Sequence, residues 1–337
     1  MAVKPHFGNP MIEQRTLAAG RGVVELAKSV IQVSGVDRLD WLHSMLTSDI
    51  KNLVPGQSRE ALLLDPQGHV QHEFHIVDDG EVTWLIVATD AVESLLKYLD
   101  RMMFRSKVSL ADRSAAFVVF GVHAQLSSEG VVWNDPWPEV VAGGARYAAG
   151  APSGWVYQEH VISTDAAAAF APELERVGTM AHEALRIEAH RPSIADVDDK
   201  TLPNELDWLA TAVHLSKGCY RGQEAVAKTH NLGHPPRRLT FLHLDGTAHD
   251  VPVAGDEIFA FEAGVRGERA VGRITSVAQH YEAGPIALAL VKRNLDVDAE
   301  LLVVSEHGEY SAKQEVIVPA DAGKAAGLKR PNLLMGK

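Results

Sequence analysis

The stretch Gly233-His234-Pro235-Pro236 divides the chain into two kinds of pattern. Consecutive prolines remove two backbone donors and force extended geometry before them, so neither a helix nor a central strand runs through. After the break, residues 238–244, 257–261, 271–278, 286–291 and 301–304 are short strand-like runs separated by Gly and Pro. No helical period competes with them, which is the pattern of a small barrel or sandwich.

Ahead of the break, the hydrophobic period changes repeatedly. Residues 23–33 are rich in β-branched side chains and read as one or two strands. Over 36–50, Leu39, Leu42, Met45 and Leu46 recur at helical spacing. Three strand runs follow, 59–64, 70–77 and 82–88, separated by Asp65-Pro66-Gln67-Gly68 and Asp78-Asp79-Gly80. Thr89-Asp90 is placed to cap a helix reaching about 104, with Val92, Leu95, Leu96 and Leu99 on one face. Residues 108–110 and 117–122 are further strands, giving an α+β unit with helices on one face of an antiparallel sheet. A strand at 155–162 and helices at the alanine-rich 165–177 and at 179–189 make a second such unit. The polar segment 192–216 has little period, and so long an irregular stretch inside a domain marks function. A helix is expected from 223 to 229. The expected domains are 20–122, 123–232 and a β-barrel at 237–318, with a flexible tail at 320–337.

One cysteine in 337 residues forbids an intrachain disulfide and an all-cysteine metal site, and fits a reducing, cytoplasmic compartment. A net charge of −12 argues against direct binding to nucleic acid or to an anionic membrane. No apolar window is long enough to span a bilayer, so no membrane partner is expected. His69, His72 and His75 fall on alternating faces of a strand and make a poor ligand set, so no stably bound metal is expected. P-loop, dinucleotide and Gly-x-Ser-x-Gly patterns are absent.

Cys219 sits within Lys217-Gly218-Cys219-Tyr220-Arg221-Gly222-Gln223-Glu224. Lys217 and Arg221 lie two residues to either side, and a helix opening at Gly222 would also favour a thiolate. A buried, inert cysteine fits the sequence equally well. At the end of a predicted helix, Glu188 beside Arg186 could accept paired N–H donors from a flat heterocycle, although a surface salt bridge is the plainer reading. Trp41, Trp84, Trp155 and Trp208 could stack on such a ring or fill the core.

Those eight residues resemble the signature of the YgfZ family of folate-binding proteins. That family is related to the glycine-cleavage T protein, an aminomethyltransferase, and to mitochondrial factors that mature iron–sulfur enzymes. The resemblance extends through Ser34-Gly35-Val36-Asp37, Leu46-Thr47-Ser48-Asp49, Arg186-Ile187-Glu188-Ala189, Thr201-Leu202-Pro203-Asn204-Glu205 and Gly272-Arg273-Ile274-Thr275-Ser276, roughly residues 20–310. It implies two ferredoxin-like α+β units and a C-terminal β-barrel around a central hole holding tetrahydrofolate or a one-carbon derivative. It implies that Glu188 grips the pterin, with Arg186, Tyr220, Gln223 and Glu205 around the cofactor. Cys219 is implied as a functional thiol with Lys217 beside it, framed by Gly218, Arg221, Gly222 and Glu224. Iron–sulfur proteins or their assembly factors, some of them acting in tRNA modification, are the implied partners. Aminomethyltransferases carry an acidic pair where this chain has Gln71 and His72, and Glu73 follows one residue late, on the opposite face of a regular strand. That departure weighs against the aminomethyltransferase reaction. A folate-dependent one-carbon transferase or demethylase, and a folate-sensing regulatory protein without chemistry, are the alternative readings.

Overall fold

Strand periodicity becomes three β-sheets in the computed structural model, which describes residues 3–128, 130–150, 154–246, 250–262 and 264–326. The chain begins α1 (Pro10–Ala18), β1 (Gly22–Glu25), β2 (Lys28–Ser34), α2 (Arg38–Met45), β3 (Ser58–Leu64), β4 (Val70–Asp78) and β5 (Val82–Ala88). It continues with α3 (Val92–Arg101), β6 (Ser109–Asp112), β7 (Phe117–Val122), β8 (Val131–Asn134), β9 (Gln158–Ser163), β10 (Glu175–Val177), α4 (Thr179–Glu188) and α5 (Gln223–Asn231). The last part holds β11 (Arg237–Leu244), β12 (Glu257–Glu262), β13 (Val265–Arg266), β14 (Gly272–His280), β15 (Gly284–Lys292), β16 (Leu301–Ser305) and β17 (Gly308–Val316).

The first sheet, in the order β3-β4-β5-β2-β6, is antiparallel throughout. Alternation sends Ile31, Val33, Phe74, Ile76, Leu85 and Val87 to one face. There Trp41, Leu42 and Met45 of α2 and Leu95 and Leu99 of α3 cover them. The helix α3 starts at Val92 after a 3-10 turn, and neither Thr89 nor Asp90 makes a side-chain cap. On the other face, Val30, Val77 and Ile86 meet Val24, Val119 and Trp133 of the second sheet.

That second sheet runs β10-β1-β7-β9-β8, with β1 and β10 parallel. Two of its strands, β1 and β7, come from the stretch expected to form the first unit, so the units interlock rather than follow one another across residue 122. Leu26 and Ala27 carry the chain from β1 into the first sheet, with Leu26 N–H held by Val119 C=O at 2.9 Å. The alanine-rich run is not a helix. Only a 3-10 turn, Ala167–Ala169, and the three residues of β10 are regular there. Pro172 lacks an N–H and drives its predecessor out of the helical region, and Ala171 sits at φ +47°.

The barrel closes as β12-β14-β15-β11-β17-β16, with β16 returning to β12 and β13 alongside. Sequence patterning misses β17 because its inward residues are Tyr310, Ala312 and Gln314 rather than an apolar run. Gln314 is satisfied inside, accepting from Arg238 Nη2 at 2.8 Å and donating to Asp296 C=O at 2.8 Å.

The irregular segment 192–216 joins the three parts. Asp196 is fully buried and accepts from Arg186 Nη1 (2.8 Å) on α4, and from Thr275 Oγ1 (2.5 Å) and Ser276 Oγ (2.6 Å) on β14. Farther along, Glu205 and Asp198 both bind the Arg237 guanidinium at the root of the barrel. Residues 320–326, expected to begin a flexible tail, dock on the end of α5, where Lys324 N–H donates to Gly233 C=O and Ala325 N–H to His230 C=O. The rest of that expected tail, 327–337, lies outside the described residues.

Candidate functional site

A cavity of about 500 Å³ lies where the two sheets and the barrel meet. Its first-sheet wall carries Lys28, His72, Glu73 and His75. Opposite stand Glu159 of β9 with Trp155 and Tyr157 just ahead of that strand, and Val277, Ala278 and Gln279 of β14 close the barrel side. Thr179, Met180, His182, Glu183 and Arg186 of α4 also face it. They share one helical face, since 100° per residue brings positions three, four and seven apart together.

The same geometry places Glu188, nine residues from Thr179, on the opposite side of α4. It borders a separate small pocket with His123 and Val156, and its carboxylate lies 3.3 Å from His280 Nε2. Glu183 is the α4 carboxylate that faces the cavity, and it is paired with both Arg186 Nε and Nη2. Burial raises the cost of ionising Glu183, but the Arg186 guanidinium outweighs it and holds the carboxyl below its ordinary range.

A buried charge network lines the polar wall. Lys28 Nζ lies 2.5 Å from Glu159 Oε1, and His75 Nδ1 lies 2.8 Å from Glu159 Oε2. Burial works against the Glu159 charge, yet His75 and Lys28 together keep that carboxyl well below the carboxylate range. Burial likewise opposes a charged His75, and Glu159 overrides it to raise the ring's pKa. Glu73 ends near 2, because His75, Lys28 and Arg191 outweigh its burial. Glu60 behind it is pushed up by burial despite Arg191 at 2.8 Å. Along the aromatic wall, Tyr157 stacks on His182 at 4.8 Å, and burial pulls His182 down to about 3.

Position 71 explains how an acid reaches this wall. Leu63 pairs with His72 and Leu64 with Val70, so Gln71 is the extra residue of a β-bulge and points to solvent. Beyond the bulge Glu73 and His75 face the cavity, while Phe74 and Ile76 face the helices. The expectation that Glu73 turns away from the site is thereby corrected. Among the three spaced histidines, His69 instead pairs with Asp65 at 2.9 Å.

The motif 217–224 is separate from the cavity, and none of its residues lines it. Lys217 is buried with its Nζ donating to the carbonyls of His43, Leu46 and Ser48, and burial lowers its pKa to about 8. Arg221 Nη1 lies 3.4 Å from Tyr98 Oη. Both cations flanking Cys219 in sequence are therefore engaged elsewhere, and the thiol itself is exposed and free. Tyr220 is buried in the core shared with the barrel, Gln223 Nε2 donates to Lys217 C=O, and Glu224 and Gly218 are exposed. Glu205 lies outside the cavity, spent on Arg237. Of the four tryptophans, only Trp155 lines the cavity.

Gly222 has φ +80°, and a Cβ there would stand 2.6 Å from Asp65 C=O and 2.8 Å from Gly68 Cα. The motif thus rests backbone-to-backbone on the β3–β4 turn. Gly222→Ala adds left-handed strain of about 1–2 kcal/mol to that clash, and an unfolding free energy from urea titration lowered by at least that much is expected.

No protein-family model matches the chain. Over 281 residues it is 24% identical to the tRNA-modifying protein YgfZ of Vibrio atlanticus, covering 82% of this chain and 86% of that one. An alignment with the mitochondrial iron–sulfur cluster assembly factor IBA57 homolog of Mycosarcoma maydis, at 26% identity, covers 90% and 81%. The chain is a homologue of the YgfZ and IBA57 proteins. The fold is similar to that of aminomethyltransferase T of the glycine cleavage system from Bartonella henselae, which superposes with a TM-score of 0.71 at 18% identity, over 93% of this chain and 89% of that one. For a YgfZ homologue, sequence reasoning weighed His75 only within a poor ligand set and did not single out Lys28, Glu159, His182, Glu183 or Arg191, which also line the cavity. They come from separate strands and helices, and no local motif joins them.

Proposed function

We propose that the protein binds tetrahydrofolate, or a one-carbon derivative, in the central cavity and supports the assembly or repair of iron–sulfur enzymes, tRNA-modifying ones included. The carrying observation is the cavity itself: about 500 Å³, aromatic on one wall and carboxylate-bearing on the others. Such a volume and mixed lining suit a flat heterocycle with an amide-like edge. Glu183, on the cavity face of α4, takes the pterin-binding role first expected of Glu188. The names of the YgfZ and IBA57 relatives, one tRNA-modifying and one in cluster assembly, supply the second half of the reading. Cys219 acts from the exposed motif toward a partner protein rather than toward the folate, in the reducing cytoplasm.

Calorimetry with tetrahydrofolate tests the first half. One site per chain is expected, weakened at least about tenfold by Glu183→Gln and unaffected by Glu188→Gln. No heat at millimolar ligand overturns it. For the second half, Cys219→Ala is expected to keep folate binding while failing to restore iron–sulfur enzyme activity to cells lacking the protein. Full restoration removes the thiol from the role.

One observation favours a second reading, a folate-dependent one-carbon transferase: Glu73 supplies a cavity carboxylate after all. Formation of methylene-tetrahydrofolate from an aminomethyl donor would establish it, with Glu73→Gln abolishing turnover.

A further inference from the structure

Glu60, Glu73 and His75 bring one donor atom each within 4.8 Å of one another at the cavity wall. Glu60 and His75 are directly opposed across β3 and β4, and Glu73 lies two residues along on the same face. Two paired strands therefore hold the three donors, which is the rigid support a metal site needs. We propose that these side chains bind a divalent transition-metal ion of the zinc, manganese or ferrous class, with open coordination positions toward the cavity.

Three observations carry this assignment. The His75 ring is fixed by stacking on Trp133, with centroids 3.6 Å apart and planes at 7°. Its Nδ1 lies 2.8 Å from Glu159 Oε2 and 3.0 Å from Lys28 Nζ, and its Nε2 faces Glu73. Metal-binding histidines characteristically donate their second ring N–H to a carboxylate in this way. Next, His75 Nε2 and Glu73 Oε1 are 3.3 Å apart. Two donors each about 2.1 Å from one ion, at a near-tetrahedral angle, sit about 3.4 Å apart.

The third observation concerns Glu60. Its side chain is fully buried, and neither oxygen has a partner of hydrogen-bond geometry. Arg191 Nη2 lies 2.8 Å from Oε1, an ion pair outside hydrogen-bond geometry. A buried carboxylate oxygen left this way costs free energy that a cation would recover. Glu73 is complementary: Oε2 accepts from Ile194 N–H at 2.9 Å, and Oε1 remains for an ion. One imidazole and two carboxylates select transition ions over calcium or magnesium.

The test uses folate-free protein carrying Cys219→Ser, so that the thiol cannot be a ligand. After stripping with chelator, zinc and manganese are titrated by calorimetry, and cobalt(II) is followed by its visible absorption. One ion per chain is expected, with cobalt bands of nitrogen and oxygen coordination. Glu73→Gln and Glu60→Gln should each weaken binding at least about tenfold and erase the bands. If Glu60→Gln fails to fold because Arg191 loses its partner, Glu73→Gln decides alone. No stoichiometric binding overturns the proposal, and so does binding unchanged in Glu73→Gln, which would mean adventitious capture by surface histidines. The proposal does not rest on folate: calorimetry with tetrahydrofolate and these titrations succeed or fail independently.

Discussion

Arg191→Met is expected to lower stability by about 3–5 kcal/mol, the usual cost of removing one partner from a buried ion pair. Arg191 is 3% exposed and serves two carboxylates, Glu60 at 2.8 Å and Asp135 at 3.1 Å, while lying 5.2 Å over the Trp137 ring. Asp135 keeps a donor in Trp155 Nε1 at 2.8 Å. Glu60 keeps none, so the cost concentrates there. Methionine replaces much of the apolar stem, which separates lost charge pairing from lost packing. The check is chemical denaturation of the single variant and of Arg191→Met combined with Glu60→Gln. The double variant should regain a measurable part of the loss, because Glu60→Gln removes the buried charge that Arg191→Met leaves uncompensated. Two losses that simply add would mean that Arg191 acts through Trp137 rather than through Glu60.

Arg191 also marks where sequence reasoning stops. Its neighbour Pro192 and the end of α4 are legible from local chemistry, and the helix does end at Glu188. Strands β3, β4 and β5 lie within a residue of their expected bounds, because turn residues and β-branched runs are local signals. The union of Arg191 with Glu60 is not local: it depends on the two sheets interlocking through β1 and β7, and no period encodes that. Likewise, alternation counted from Gly68 puts Glu73 on one face, and a single bulged residue, Gln71, puts it on the other. The motif around Cys219 shows the converse. Its chemistry was read from neighbours in sequence, yet Lys217 turns inward to three carbonyls of the α2 end and the loop after it. Two residues of spacing fix the backbone separation of a cation and a thiol, not the direction of a long flexible side chain.

Acidification should draw a stability loss from two buried histidines. His182 is held down to about 3 and His160 to about 4, in both cases chiefly by burial. Both lie below the value near 6.5 of an unfolded histidine. Between pH 6.5 and about 4 the unfolded chain therefore binds protons that the native state refuses, and stability falls as pH falls. Each ring contributes about 2 kcal/mol of loss between pH 6.5 and 4.5, about 4 kcal/mol for the pair. The contacts show why refusal holds: His160 Nδ1 lies 2.7 Å from Ser128 Oγ, and His182 Nδ1 lies 3.1 Å from His123 Nε2, itself lowered by burial. His75 has the opposite sign, since its pKa is raised, but its stabilisation is already full below 6.5 and fades only as pH rises. It cannot offset the loss. Glu73, near 2, begins to add its own loss only below its unfolded value of 4.5. Urea midpoints at pH 6.5, 5.5 and 4.5 give the slope, and His160→Gln should remove about one proton's share of it. A slope left unchanged by His160→Gln would mean that this ring is charged or hydrated in the native fold.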